Sequence, residues 1–250
     1  MTNKYIYFIA NWKMYGDLKS LKSLKKVIRF IKTTKLKKFK IIYCPPFTLL
    51  NSFVKKFKKT NISIGAQNCH YEETYGPFTG SISSKMIKTI GCKYVIIGHS
   101  ESRDQGDTDI IINKKIRSSL KNKINIIFCF GETLSDRKKK LTKKIIKKQL
   151  SRALNKIQKK QNIFFAYEPV WAIGTGFIPK LNELISNINY IKKLLKISYK
   201  IKSPKVLYGG SVSSKNIGDL KKINLLDGFL IGGSSQKANK FIDIIKKTFI

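Results

Sequence analysis

The chain has 250 residues, and its 51 Lys and Arg residues against 14 Asp and Glu give a formal net charge of +37. This length allows one domain with a sizeable core, and no apolar stretch approaches the roughly 18 residues of a membrane span. Only five of the basic residues are arginine and the lysines spread over nearly every predicted helix, so we expect no specific nucleic-acid partner.

Eight short apolar runs alternate with longer amphipathic segments, and each run predicts a strand. Several runs are apolar throughout, which is typical of parallel strands covered on both faces. Eight strand–helix repeats predict an α/β fold, a single-domain (β/α)8 barrel over residues 1–250, with a doubly wound open sheet as the alternative. The predicted strands are Tyr5–Ala10, Lys40–Cys44, Ile62–Ala66, Tyr94–Ile97, Asn125–Phe130, Ile163–Tyr167, Lys205–Tyr208 and Gly228–Ile231.

The segment between the fifth and sixth predicted strands shows a helical period. Its apolar residues recur on one face, and lysines occupy the opposite face, which we interpret as solvated. The apolar residues are Leu141, Ile145, Ile146, Leu150, Ala153, Leu154 and Ile157.

Polar side chains follow the predicted strands at their carboxyl ends, where barrel enzymes hold their active sites. Asn11 and Lys13 follow the first strand, and His99 and Glu101 follow the fourth. Glu168 follows the sixth strand. These groups are therefore expected to collect on one rim of the barrel, although His99 alone is also explained as a helix cap.

Two glycine pairs follow the last two strands, as Gly209-Gly210-Ser211 and Gly232-Gly233-Ser234. Glycine lets backbone N–H groups approach a ligand closely. The second pair opens a helix, whose positive amino terminus suits an anion. Together the pairs predict a phosphate site at the position that barrels commonly use.

The segment Ala166–Gly176 combines a strand end, a carboxylate and a loop. Glu168 ends the strand, Pro169 prevents the strand from continuing, and an apolar segment then closes with two glycines. A carboxylate beneath a mobile loop is what proton transfer under a closing lid requires. The alternative for an isolated glutamate is a helix cap or an ion pair.

The chain resembles the triosephosphate isomerase family from end to end. The resemblance implies interconversion of dihydroxyacetone phosphate and D-glyceraldehyde 3-phosphate through an enediolate, in glycolysis and gluconeogenesis, without a cofactor. The alternatives are a basic binding protein on a decayed barrel and another phosphate-handling barrel enzyme. The segments that carry the resemblance are Asn11-Trp12-Lys13-Met14, Gly98-His99-Ser100-Glu101, Ala166–Gly176, Tyr208-Gly209-Gly210-Ser211 and Gly232-Gly233-Ser234.

The resemblance implies a role for each rim residue. Glu168 moves a proton between neighbouring carbons, while Lys13 and Asn11 stabilise the charge that develops on oxygen. His99 is a neutral electrophile, which is the established role of the family's histidine. The phosphate is held by Gly174, Ser211, Gly232 and Gly233, and the supporting residues are Glu101 beside Lys13, Trp171 in the lid, Tyr208 and Thr79.

The resemblance also implies a homodimer, in which the loop from Gln67 to Gly80 projects from each subunit. Its Thr79 reaches toward Asn11 and Glu101 of the partner subunit. Family members generally pair an acid with an arginine across the interface, and here Ser81 and Ser102 stand at those two positions. One ion pair between the subunits is therefore expected to be missing.

The lid hinge departs from the family too. The sequence Phe177-Ile178-Pro179 follows the last lid glycine. Without a gap, Pro179 replaces a residue whose N–H bonds the Tyr208 hydroxyl, and proline has no N–H. With a hinge two residues shorter, Pro179 is the first residue of the next helix, which we favour because proline suits that position.

The four cysteines, Cys44, Cys69, Cys92 and Cys129, form no C-x-x-C pair. Three of them lie in or beside apolar runs, so we expect buried, reduced thiols and a cytoplasmic location. Cys69-His70 has no further ligands at a suitable spacing, and no metal site is expected. The six-residue apolar run after Lys4 is too short for a secretory signal.

Overall fold

The structure is a computed structural model and describes residues 4–158 and 160–250. Eight strands, all parallel, close into one barrel in chain order, and β1 completes the ring by pairing with β8. The predicted single-domain (β/α)8 barrel is confirmed, and the alternative prediction of a doubly wound open sheet is wrong. The strands are β1 Ile6–Asn11, β2 Phe39–Cys44, β3 Ser63–Ala66, β4 Tyr94–Ile97, β5 Asn125–Phe130, β6 Ile163–Tyr167, β7 Lys205–Tyr208 and β8 Gly228–Ile231.

Helices alternate with these strands along the described chain. They are α1 Leu24–Thr33, α2 Leu50–Phe57, α3 Ser84–Ile90, α4 Ser100–Asp104, α5 Asp109–Lys121, α6 Leu134–Lys138, α7 Thr142–Ala153, α8 Leu181–Ile197, α9 Ile217–Leu220 and α10 Ala238–Phe249. None of these described helices has the length and apolar character needed to cross a bilayer.

The lysine-rich segment after β5 forms α7, as its period predicts. Ile146 and Leu150 are fully buried, while Lys144 and Lys148 on the opposite face are exposed. The helix ends at Ala153, four residues before Ile157, the last residue of the predicted apolar face.

Two apolar layers explain why the barrel is stable. Side chains of alternate strand residues point inward, and Ile9, Ile96 and Leu207 fill the barrel interior. The intervening residues point outward against the helices, as Phe8 and Phe128 do. Since both faces of each strand are covered, the strands read as continuous apolar runs in the sequence.

One buried polar group in the outer apolar layer lowers the stability of the folded state. Tyr43 is fully buried among aromatic rings, and its hydroxyl has no hydrogen-bond partner among the described residues. A buried polar group without a partner destabilises the folded state by about 1–3 kcal/mol. We therefore expect Tyr43→Phe to raise the free energy of unfolding by about 1 kcal/mol in a denaturant titration.

Tyr167→Phe is the matched control, because its buried hydroxyl donates to Glu132 Oε2 at 3.0 Å and accepts from Asn187 Nδ2 at 3.1 Å. This variant should lose about 1–2 kcal/mol of stability. A loss of similar size in Tyr43→Phe would mean that a buried water satisfies the Tyr43 hydroxyl.

Candidate active site

A cavity of about 200 Å³ lies at the carboxyl ends of the strands. It brings together all eight residues that the sequence analysis assigns to catalysis and phosphate binding. Its lining comprises Asn11, Lys13, His99, Glu168, Ile173, Gly174, Gly209, Gly210, Ser211, Val212, Leu230, Gly232, Gly233 and Ser234.

Glu168 lies directly after β6 and is only 2 % exposed. Two glycines make room for it. A Cβ at Gly131 would collide with the Glu168 carbonyl, and a Cβ at Gly209 would lie 2.6 Å from Glu168 Cγ. Burial raises the pKa of Glu168, with neighbouring His99, Cys129 and Lys13 opposing the shift. A carboxylate whose pKa is raised is a better base than one in water.

His99 both caps α4 and faces Glu168. Its Nδ1 accepts a hydrogen bond from the Glu101 backbone N–H at 3.2 Å, which leaves Nε2 as the ring nitrogen that can donate into the cavity. Nε2 lies 3.6 Å from Glu168 Oε1. The helix-cap interpretation is confirmed, and it is compatible with the predicted catalytic role, because the cap orients the ring with Nε2 on the side of Glu168.

Lys13 enters the cavity from an unusual backbone conformation. Its φ of 55° lies in the left-handed region, which is strained for lysine. The strain is held by side chains: Asn11 Oδ1 accepts from the Lys13 N–H at 3.1 Å, and Gln67 Nε2 donates to the Lys13 carbonyl at 2.8 Å. Lys13 Nζ pairs with Glu101 Oε1 at 2.6 Å, and Glu101 is half-exposed at the rim.

The phosphate-binding candidates line the same cavity, and a Cβ at Gly232 would lie 3.5 Å from Lys13 Cε. Gly233–Ser235 forms a single 3-10 turn after β8, with Gly232 as its amino-terminal cap. The first N–H groups of such a turn have no carbonyl partner within it and point outward. Gly174 and Ser211 line the same cavity. Backbone donors and the Lys13 ammonium thus face one space, which suits a dianion.

The lid residue Trp171 is tied to the barrel at its indole N–H. Nε1 donates to Glu132 Oε1 at 2.9 Å, and the Tyr167 hydroxyl donates to the other oxygen of the same carboxylate. The guanidinium of Arg137 lies 4.3 Å from the centre of the Trp171 ring. Trp171 is therefore held both by its hydrogen bond to Glu132 and by the stacked Arg137.

A family model described as triosephosphate isomerase matches residues 6–248 of this chain. The chain belongs to the triosephosphate isomerase family. It is similar to the triosephosphate isomerase of Alkaliphilus oremlandii, with 40% identity over 211 residues that cover 82% of this chain and 85% of the relative. It is also similar to that of Thermodesulfovibrio yellowstonii, with 39% identity over 249 residues, or 98% of this chain and 100% of the relative.

The crystal structure of triosephosphate isomerase from Bartonella henselae has the same fold. The TM-score is 0.89 at 32% sequence identity, covering 98% of this chain and 99% of that one.

One prediction about the lid hinge of this chain is wrong. Pro179 is not the first residue of a helix, because α8 begins at Leu181 and Lys180 is its cap, with an extended backbone (ψ 136°). The gapless alternative remains. In agreement with it, the buried Tyr208 hydroxyl has no hydrogen-bond partner among the described residues.

Arg137 joins the two ends of the lid. Besides stacking on Trp171, it donates from Nε and Nη2 to the two carboxylate oxygens of Glu183, at 2.9 and 2.8 Å, in the first turn of α8. Bidentate pairs of this kind fix geometry as well as charge. Since the Tyr208 hydroxyl has no partner within residues 4–158 and 160–250, this bridge is a main contact between lid and barrel.

We expect Arg137→Met to lower kcat roughly three- to tenfold, because methionine keeps the packing on Trp171 but loses the cation and the Glu183 pair. A coupled isomerase assay measures this. Arg152→Met, which removes an exposed guanidinium 3.8 Å from Asp109, is the control and should leave kcat unchanged. Equal effects in the two variants would exclude a lid function for Arg137.

Thr79, Ser81 and Ser102 lie outside the cavity. Thr79 and Ser81 are exposed on the loop after β3, and Ser102 is half-buried in α4. Within the described residues, no three His, Cys, Asp or Glu side chains form a cluster that could hold a metal ion.

The sequence analysis missed several residues that shape the site. Gln67, noted only as the start of a loop, clamps the carbonyls of Lys13 and Cys44, each at 2.8 Å. Gly131 has no side chain and so leaves space for the Glu168 carbonyl. Glu132 accepts a hydrogen bond from the Trp171 indole N–H. All three follow predicted strands, so their position at strand ends was the available signal.

Proposed function

We propose that Glu168, His99, Lys13 and Asn11 carry out the interconversion of dihydroxyacetone phosphate and D-glyceraldehyde 3-phosphate in this cavity. The observation that carries the proposal is the buried Glu168 carboxylate, 3.6 Å from His99 Nε2, in the same 200 Å³ space as Lys13. A base, an electrophile and a cation around one small space suit proton transfer beside a carbonyl.

Two protons must move in each turnover. Glu168 takes a proton from C1 of dihydroxyacetone phosphate, and the electron pair forms a C1–C2 double bond while negative charge passes to the C2 oxygen. His99 Nε2–H and the Lys13 ammonium stabilise that oxygen. The proton of the C1 hydroxyl then passes to the C2 oxygen by way of His99, and Glu168 returns its proton to C2. This yields the aldehyde.

The phosphate remains unchanged and serves as an anchor. The N–H groups of Gly174, Gly232 and Gly233 and the hydroxyl of Ser211 hold it, with Lys13 between phosphate and carbonyl. Binding energy from this remote group positions the reacting carbons against Glu168. Closure of the Trp171 lid excludes water from the enediolate.

Solvent exchange tests the one-base mechanism. In D₂O, dihydroxyacetone phosphate incubated with the protein should acquire deuterium at C1, because the proton on Glu168 exchanges with solvent before it is returned. Turnover without any deuterium in recovered substrate or product would point to hydride transfer and would exclude Glu168 as the proton carrier.

We also propose that the protein is a homodimer in the cytoplasm. Large apolar side chains stand exposed on the loops after β1 and β3, with Met14 at 93 % and Tyr75 at 69 % exposed. Apolar surface of this extent is typical of an interface. All four cysteines are free and buried, which fits a reducing compartment.

Sedimentation measurements test the dimer. Tyr75→Asp should raise the dimer dissociation constant at least about tenfold, because it places a charge where an interface aromatic packs. Ile197→Asp, at an equally exposed apolar residue at the end of α8, is the control and should leave it unchanged. Since each chain carries a charge of +37, added salt should tighten association. A monomer at all salt concentrations would contradict the proposal.

A further inference from the structure

Charge is separated along the barrel axis. The seven connectors that run from a helix to the next strand lie at the end opposite the active site, and each carries at least one lysine. Asp227 is the single acidic residue in their sequences, and it already pairs with Lys4 and Lys192. The other acidic residues lie in the loops that follow the strands or in the helices. The connectors are residues 34–38, 58–62, 91–93, 122–124, 154–162, 198–204 and 221–227.

A cleft of about 320 Å³ opens at this cationic end, beside the amino-terminal ends of β1 to β4. Tyr7 and Tyr94 form part of its wall, and both rings pack against Phe164, at centroid distances of 4.8 and 5.8 Å. The rest of the polar lining comes from Lys40, Lys93, Thr60, Asn61 and Ser63. The cleft is therefore concave, with a fixed aromatic wall and several hydrogen-bond donors.

The ammonium groups at the cleft are not neutralised. Neither Lys40 nor Lys93 forms an ion pair with any carboxylate of the described chain. Lys40 Nζ lies over the ring of Tyr5 at 4.9 Å from its centre. Lys205 adds a third charge behind the wall, 4.7 Å from the centre of the Phe164 ring. Positive potential in a concave site attracts anions most strongly.

Helix stabilisation does not account for these lysines. Lysine in the last turn of a helix complements the helix dipole. Lys40 lies in β2 and Lys205 in β7, while Lys93 directly precedes β4. None of the three is in a helix, so the helix dipole does not explain them, and a bound anion is the better explanation of the two lysines, Lys40 and Lys93, that line the cleft.

We propose that this cleft binds an oligophosphate chain, either free or as the tail of a nucleoside triphosphate. The space exceeds that of the 200 Å³ cavity proposed for a triose phosphate. Lysine ammonium groups bind phosphate as point charges without demanding one geometry, which suits a flexible chain of several phosphates. The hydroxyls and the Asn61 amide supply the remaining donors.

Calorimetric titration with inorganic tripolyphosphate tests the proposal on the full-length protein. The double variant Lys40→Gln, Lys93→Gln should bind at least about tenfold more weakly than the unaltered chain. The control variant Lys147→Gln, Lys148→Gln removes the same charge from the exposed face of α7 and should bind within about twofold of it. If binding were weakened equally in both double variants, the effect would come from net charge alone, and the proposed site would be wrong.

Further titrations distinguish the two ligand sources and the two possible binding sites. ATP binding as tightly as tripolyphosphate would assign the nucleotide tail, and weaker ATP binding would assign the free chain. Isomerase kcat/KM should be unchanged in both double variants, since the cleft is at the far end of the barrel. Tripolyphosphate binding that is lost in Lys13→Met but kept in Lys40→Gln, Lys93→Gln would place the anion in the active site and overturn the proposal.

Discussion

Replacing Glu168 with glutamine should lower kcat by roughly 10² to 10⁴, the range for loss of a positioned general base. Glutamine has nearly the same shape, so the contact with Gly209 and the bound substrate are preserved. The amide cannot accept the C1 proton. The coupled assay in both directions should show the same loss, because one group serves both half-reactions.

Asp219→Asn is the control, because it removes an exposed carboxylate that pairs only with Lys222 among described residues. It should leave turnover within about twofold of the unaltered chain. If Glu168→Gln retained near-normal turnover, another group would have to be the base.

The pKa of Glu168 makes the same variant informative at different pH values. Burial raises this pKa above its ordinary value of 4.5, so kcat/KM of the unaltered chain should fall as the pH drops through a value higher than 4.5. In the unfolded chain the pKa returns to its ordinary value. The folded protein therefore binds this proton more tightly, and it loses stability as the pH rises from 4.5 through the folded-state pKa.

Glu168→Gln has no charge to bury, so the variant should be more stable than the unaltered chain at neutral pH. The difference should disappear at acidic pH, where the carboxyl is protonated in both states. Denaturant titrations at the two pH values measure this. Equal stability at neutral pH would mean that Lys13 and His99 fully offset the cost of burial.

Most of the fold could be predicted because its signal is local. In a parallel barrel both faces of each strand are covered, and the eight apolar runs mark the strands directly. The bounds of β4 through β8 agree with the prediction, β2 and β3 differ by one residue at their starts, and β1 is shifted by one residue at both ends. The closure of β1 on β8 is not local. It followed from counting repeats, which favours a barrel over an open sheet.

The site was predictable where function depends on residue type at a strand end, as for Glu168 and His99. The site was not predictable where a residue acts through contact with the backbone of another segment. Gln67 is 54 residues from Lys13 in sequence, and only its two bonds to carbonyls reveal that it supports the strained lysine. Gly131 is likewise needed because β5 and β6 bring it against the Glu168 carbonyl.

The hinge shows how a sound local rule failed. Proline favours the first turn of a helix, and this led to the wrong start for α8. Proline is equally suited to the extended segment just before a cap. Lys180 takes the cap with an extended backbone, so Pro179 stays outside. The choice depended on where Leu181 and Leu184 pack, which is a tertiary property.

Replacing His99 with glutamine should lower kcat by about 10² to 10³, the cost of losing a preorganised donor to a developing oxyanion. The amide of glutamine reaches about as far from the backbone as Nε2, so no acceptor replaces Nδ1. The bond from the Glu101 N–H is lost, and with it the orientation of the donor. The amide cannot pass a proton between the two substrate oxygens as an imidazole can. KM should change little, because the phosphate contacts are untouched.

The chain holds one other histidine, and it provides the matched control. His70 stacks on Tyr71 in the loop after β3, away from the cavity, so His70→Gln should leave kcat within about twofold. If His99→Gln changed KM alone, His99 would be a binding group with no part in the chemistry. If kcat fell while C1 deuterium exchange stayed fast, His99 would act after Glu168 has removed the proton. The histidine would then be the group that moves the hydroxyl proton, and Glu168 with Lys13 would suffice to form the enediolate.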